Sequence, residues 1–325
     1  MRRRRTVVAL AAVAAVAVAG TVTAVLLSRH PHAAPPPPPL PLTTTGTPTT
    51  TPPPPPPAQP PVRVIKIDNV APARPHTGLA GADVIYVEPV EGGLTRIAAV
   101  FGTRLPPVVG PVRSARESDL ELLPEYGRPT LGYSGAAPPL LPMIQAASVV
   151  NASPAQVPNA YFRDNRRPTP HNLYVHPADL PLGTGAPRQV LQFGPAPPGG
   201  VPTADQHVQY QAASYDFHWA PPGQWLVTMD GSPFVSTEAG RLAASTVVIQ
   251  RVATHNSPYV EDALGNVSPV AQTVGQGAAT VLRDGQAFPA TWSRPGPQDP
   301  TSYTTPGGQP LPLAPGQVWI LLVPA

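Results

Sequence analysis

The 325-residue chain has no cysteine. That absence excludes disulfide scaffolds, thiolate zinc sites, iron–sulfur clusters, thiol nucleophiles and a lipid-modified N-terminal cysteine, and it leaves the redox compartment unreadable. Charge is scarce at 12% of residues, and lysine is reduced to Lys66. The 52 prolines are about three times the usual ~5% share and are barred from most positions inside helices and central strands. A helical bundle or coiled coil is therefore excluded. No P-loop, HExxH zinc signature, GxGxxG fingerprint or repeat period is present.

What charge there is has an uneven distribution. The formal net charge is +3, yet residues 1–30 hold five Arg and no acid, whereas residues 63–325 hold 15 Arg, Lys66 and 18 acids. The basicity belongs to the N-terminus, and nothing in the overall charge supports nucleic acid as a partner.

The first 61 residues predict an anchor and a spacer. A basic tip, 1–5, precedes an uncharged run at 6–27, TVVALAAVAAVAVAGTVTAVLL, long enough to cross a hydrocarbon core of roughly 30 Å as a transmembrane helix. The leading arginines put the N-terminus in the cytoplasm, with the lipid bilayer as partner of 6–27 and everything later outside. A signal peptide cleaved near Ala19 is the alternative, because Ala17-Val18-Ala19 precedes Gly20, and the body would then be secreted. The linker at 28–61 has 16 Pro between Pro31 and Pro61 and no Asp, Glu, Lys or Arg there. It reads as disordered polyproline II, ~3.1 Å per residue, holding a domain off a bilayer. Its Thr-rich middle offers positions for glycans.

Strand signals dominate the remainder. Strands are predicted at 62–68, 83–88 and 95–101, the last two joined as a hairpin by Glu91-Gly92-Gly93. Ser114-Ala115-Arg116-Glu117 has the capping-box form and predicts a helix start, ended by Pro124 or Gly127. Short buried strands at 131–133 and 148–150 flank a helix at 140–145. After a Pro/Gly-rich link at 181–205 come strands at 215–219 and 224–229, a turn at Asp230-Gly231, strands at 246–254 and 279–283, a turn at Asp284-Gly285, and strands at 287–292 and 318–323. The expectation is an α+β protein: a mixed-sheet first domain at 62–180 and a smaller β-rich second domain at 206–325.

Candidate chemistry gathers in the first half, where residues 63–167 carry Lys66 and ten Arg. Lys66, Asp68, Asn69, Arg74, Glu91, Arg96, Arg113, Ser114 and Arg116 all fall where predicted strands meet loops or at the predicted helix start. A helix N-terminus offers free N–H groups, and Arg presents a planar fork matched to carboxylate or phosphate, so Arg113, Ser114 and Arg116 read as an anion site. The competing reading pairs these arginines with Glu88, Glu91, Glu117 and Asp119 on the surface. A second constellation comprises Arg163, His171 and Asn172. His171 is a candidate acid or base, unless it and Asn172 merely fix a loop corner. His171, His176 and Asp179 match no standard metal spacing, so no metal is expected, and no cofactor is implied. Ser134 in Gly132-Tyr133-Ser134-Gly135-Ala136 lacks the final glycine of a nucleophile elbow.

The motifs KIDN (66–69), ARPHTGL (73–79), GADVIYVE (81–88), EGGLTRIAAVF (91–101), GPVRSAR (110–116), YFRD (161–164) and PHNLY (170–174), with VLRDGQAFPATW (281–292) and LAPGQVWILLV (313–323), together resemble the YerB-like family of bacterial envelope proteins. The resemblance implies a layered mixed-sheet first domain, a smaller β-rich second domain and an envelope location, but no reaction. Family members tethered by lipid carry a lipobox cysteine that this chain lacks, so the apolar helix would stand in for it. Three expectations follow: a membrane-anchored extracytoplasmic domain binding an anionic wall glycan or phosphate-bearing ligand; an envelope hydrolase or transferase using Asp68, Glu91, Asp119 or His171 in that cleft; or a protein-docking module. The first two need the arginine cluster and His171 to converge.

Overall fold

The last strand of the chain lies in the middle of its largest sheet. The computed structural model describes residues 61–184, 190–260 and 265–325; the predicted anchor and nearly all of the spacer lie outside these residues. In chain order the principal strands are β1 (Arg63–Ile67), β2 (Val84–Pro89), β3 (Thr95–Phe101), β4 (Thr130–Gly132), β5 (Val150–Asn151), β6 (Tyr161–Arg163), β7 (Leu173–Val175), β8 (Asp205–Gln209), β9 (Ser214–Ala220), β10 (Gln224–Met229), β11 (Thr246–Val252), β12 (Thr254–Val260), β13 (Val267–Ala271), β14 (Gly275–Arg283), β15 (Gln286–Arg294), β16 (Ser302–Thr304) and β17 (Val318–Pro324). Among the described residues there are two α-helices, both short, α1 (Ser118–Leu122) and α2 (Leu140–Ala146).

The main sheet has eleven strands in the order β16-β15-β14-β11-β17-β2-β3-β1-β4-β5, the two-residue strand Val201–Pro202 pairing with β15. It is mixed. β17 runs parallel to both β11 and β2, β1 parallel to β4, and the β2–β3 and β14–β15 hairpins are antiparallel. The protein is thus mostly β, and the two predicted halves share one sheet. Residues 181–205, read as a link, contribute to it through Val201–Pro202.

Alternation along the central strands builds two cores. Ile65, Ile67, Ile85, Val87, Ile97, Trp319 and Leu321 point to one face, where a second, five-stranded sheet containing β8, β9 and β10 packs Tyr215, Phe217, Trp225 and Val227 against them. Val64, Val84, Tyr86, Val100, Val318, Ile320 and Leu322 point to the other, beneath Leu122 of α1 and Leu140 and Ile144 of α2. Covered on both faces, the central strands can be apolar throughout, which explains the run WILLV in β17.

The predicted helix start at Ser114 is overturned. Residues 110–116 run extended: Val112 bridges Ile67, and the Arg113 N–H donates to Lys66 O at 2.9 Å. Helix α1 begins at Ser118 and lasts five residues. Asp119 Oδ2 accepts the Arg116 N–H at 2.7 Å, so an acid already occupies the place reserved for an anion. The Asp230-Gly231 and Asp284-Gly285 turns have positive φ at both positions, as primed hairpin turns require.

Candidate functional site

The period of two that aims Ile65 and Ile67 at one core sends Lys66 to the opposite face, where Glu88 of β2 and Arg96 of β3 also point. Glu88 and Arg96 stand directly opposite in the β2–β3 register. All three meet at one end of the sheet, below α1.

The deepest layer is a closed knot. Lys66 is fully buried, its Nζ donating to Glu88 Oε2 at 2.5 Å and Asp119 Oδ1 at 2.8 Å. Burial, aided by the Asp119 charge and opposed by Lys66, pushes the Glu88 carboxyl up to about 7. Lys66 and Asp119 therefore neutralise one another inside the protein rather than facing a cleft.

The second layer centres on Glu91. Arg116 grips its carboxylate with two nitrogens, Nε at 2.9 Å from Oε2 and Nη2 on Oε1, and Ser268 of β13 donates to Oε2 at 2.7 Å. Arg96 stands only at 3.5 Å from Oε1. Burial alone would raise the Glu91 carboxyl, but the Arg116 hydrogen bond and the two guanidinium charges hold it at about 2. Arg96 is 5% exposed, and its Nε and Nη1 have no hydrogen-bond partner among the described residues. Burial and the neighbouring Arg116 cation lower its guanidinium to about 10.

The outer layer opens to solvent. Asp68 Oδ2 is shared by His171 Nδ1 at 2.7 Å and Arg113 Nε at 3.2 Å. A carboxylate can only accept, so Nδ1 carries the proton. Asp68 is buried; its N–H donates to Pro111 O at 2.9 Å, and its O pairs with His76 Nε2 at 2.7 Å. The side chains of Arg113 and His171 are 30% and 17% exposed. The arginine cluster and His171 do converge, through Asp68.

The remaining candidates sit around this core. Asn69 is buried, its Nδ2 donating to Thr95 Oγ1 at 2.9 Å and to the Tyr215 hydroxyl at 2.5 Å. Arg74 reaches away to Asp230 Oδ2 at 2.7 Å. Ser114 is half-buried on the extended run. Arg163 is exposed on β6 and donates to Asn172 Oδ1 at 2.6 Å. His176 stacks on Phe162 at 4.9 Å, with Nδ1 at 3.0 Å from Pro107 O. The Ser134 N–H donates to Arg113 O. His76 and Ser268 are not candidates by sequence, and Glu88 is one only as a surface partner of the arginines, whereas it is fully buried. Glu88 had a signal, an acid at an inward position of the strand VIYVE; Ser268 had none, being 177 residues from its partner.

Cavities lie nearby and far off. One of about 590 Å³ is bounded by Phe162, Arg166, Arg167 and Tyr174 on the segment that carries His171. Another, about 680 Å³ and mainly apolar, lies at the opposite end of the sheet against Val62, Val84, Val100 and Phe193.

Comparison with known proteins decides the family. Residues 44–186 match the family described as "Protein of unknown function (DUF3048) N-terminal domain" and residues 206–320 its C-terminal domain. The chain belongs to this YerB-like family. It is 47% identical over 57 residues to "Putative lipoprotein YerB" of Bacillus subtilis (strain 168), a stretch covering 18% of this chain and 17% of that protein. The crystal structure of the YerB protein from Bacillus subtilis superposes with a TM-score of 0.69 at 20% identity, covering 82% of this chain and 92% of that one. That likeness carries the fold.

Proposed function

We propose that this YerB-like protein is an extracytoplasmic, membrane-anchored module that binds an anionic envelope ligand, phosphate-bearing or acidic glycan, at the Arg96–Arg113–Arg116 cluster. One observation carries the reading: Arg96 is a guanidinium inside the protein with two nitrogens, Nε and Nη1, that lack a hydrogen-bond partner among the described residues, and only a 3.5 Å ion pair. Such a group is costly unless something accepts from it. Three guanidiniums surround two carboxylates, Asp68 and Glu91, so one more anion balances the mouth of the site. Arg113 Nε lacks a hydrogen-bond partner in the interior, whereas its terminal nitrogens are not among the buried unpartnered atoms and remain open to a ligand. Lys66, Asp119 and Arg74 are spent on other contacts and drop out; Asn69 and Asn172 brace the walls, and Ser114 and Arg163 lie on the rim. The relative from Bacillus subtilis is named a "Putative lipoprotein"; with no cysteine here, the apolar segment at 6–27 supplies the anchor.

The test is thermal unfolding and calorimetric titration of the full chain with inorganic phosphate, pyrophosphate and phosphate-bearing wall fragments. A ligand at one hundred times its Kd raises stability by about 2.7 kcal/mol. Arg113→Ala also removes the cation beside the buried Asp68 carboxylate and lowers the unliganded melt, so its measure is the ligand-induced shift, which it loses. No shift with any anion ends the proposal.

A further inference from the structure

We infer that the same site hydrolyses a phosphate ester, with His171 as the general base; this rests on the anion-binding reading above. Among the four acid/base candidates, geometry leaves one. Asp68, Glu91 and Asp119 are all buried, and each carboxylate is already held by a cation: Arg113, Arg116 and Lys66 respectively. Two-carboxylate glycoside chemistry needs one free acid and one free base flanking the bond, and no such pair is available among these groups.

His171 differs in every respect that matters. Its Nδ1–H is anchored on Asp68 Oδ2 at 2.7 Å, and Asp68 is itself fixed by the backbone bonds described above. The ring is therefore oriented, and its free lone pair is on Nε2. Among the described residues that atom has no hydrogen-bond partner, and it is not one of the buried polar atoms, so it faces solvent. The Arg113 guanidinium hangs from the same carboxylate oxygen, which places an anion clamp beside an oriented base. A guanidinium fork matches two non-bridging phosphate oxygens, and fixed cations that meet charge developing on a transferring phosphoryl group lower the barrier.

The step balances without a further reagent. Nε2 takes a proton from water as the water oxygen forms a bond to phosphorus. The opposite P–O ester bond breaks, with its electron pair leaving on the alcohol oxygen. That oxygen is protonated from solvent, and the imidazolium releases its proton to solvent. Because Asp68, Glu91 and Asp119 are each held by a cation and none is free to protonate a leaving oxygen, aryl esters should turn over faster than alkyl esters. Asp68 is a positioning residue.

The experiment uses the full chain with 4-nitrophenyl phosphate and bis(4-nitrophenyl) phosphate, the two arms separating monoester from diester, alongside calorimetry with inorganic phosphate. Turnover is expected, falling about 10²–10⁴-fold in His171→Ala while phosphate binding and melting temperature persist, and recovering when imidazole is added. His171→Gln serves if the alanine variant does not fold. Asp68→Asn is expected to change the pH profile of kcat, which a merely structural residue would leave in place. Phosphate binding without turnover by the parent chain, or turnover undiminished in the His171 variants, overturns the hydrolysis and leaves the binding reading standing. Absence of both binding and turnover removes the two together.

Discussion

Glu88 and His76 set opposing pH dependences on one body. Burial raises the Glu88 carboxyl from 4.5 to about 7, so between those values the folded chain holds more protons than the unfolded one. Its contribution is complete below about 4.5 and is lost as pH rises through about 7. Burial lowers the His76 imidazole from 6.5 to about 4, against the hydrogen bond to Asp68 O. The unfolded chain then takes the extra proton, and stability is lost as pH falls from 6.5 toward 4. The slopes oppose each other across their overlap. Urea melts of the full chain should show little change from these groups between about pH 5 and 6, where the Glu88 fall, on the order of 3 kcal/mol over its whole range, is offset by the His76 rise, and a residual fall of roughly 1 kcal/mol above pH 6.5. Glu88→Gln should abolish the upper fall and expose the His76 rise from pH 4 to 6.5; a variant that keeps falling above 6.5 assigns that slope elsewhere. Lys66→Met removes the cation from between two buried carboxylates, 2.5 and 2.8 Å away, and should cost about 3–5 kcal/mol. The double variant with Glu88→Gln should recover part of that loss.

At the scale of elements, what the sequence discloses is local. The hairpins are legible because apolar alternation flanks Asp-Gly pairs, and both pairs adopt positive φ, 50° and 73° at Asp230-Gly231, 52° and 71° at Asp284-Gly285. The helix start was not legible. Ser114 and Glu117 satisfy a capping pattern, but pairing of 110–116 with the end of β1 competes for the same backbone and wins. The charged cluster was legible as a group, since its members lie at strand ends; which of them are buried depends on Ser268 and Tyr215, contributed from far along the chain. The two turns make a comparison possible. Gly231 faces open space, whereas a Cβ on Gly285 would lie 2.7 Å from Trp219 Nε1. Gly231→Ala should lose only the left-handed backbone cost, about 1–2 kcal/mol. Gly285→Ala should lose more than that, because Trp219, packed at a tilt with its ring centre 5.2 Å from that of Trp225, must also move. Equal losses in urea melts would show that Trp219 yields freely.

For the whole molecule, the decisive feature is that β17 pairs with β2 of the first family domain and β11 of the second over adjacent edges. Its residues Val318 to Val323 are all at most 2% exposed; at about 1.5–3 kcal/mol per buried large apolar side chain, they contribute on the order of 10 kcal/mol. That equals the entire net stability of a typical domain, about 5–15 kcal/mol. Serine bridges add to the seam, since Ser268 reaches Glu91 and Ser257 reaches Glu117 at 3.0 Å. Neither half can bury its own strand edges without the other. A chain ending at residue 317 should therefore show no cooperative thermal transition and no near-ultraviolet dichroism. Chains 1–186 and 206–325 should each behave the same way alone, because the first leaves the β2 edge bare and the second leaves one edge of β17 bare. Produced together, they should associate, regain a single cooperative melt, and recover anion binding, since Glu91 and Arg116 come from one piece and Ser268 from the other. A cooperative melt of the 1–186 piece by itself would show that β17 closes the sheet without being needed to form it.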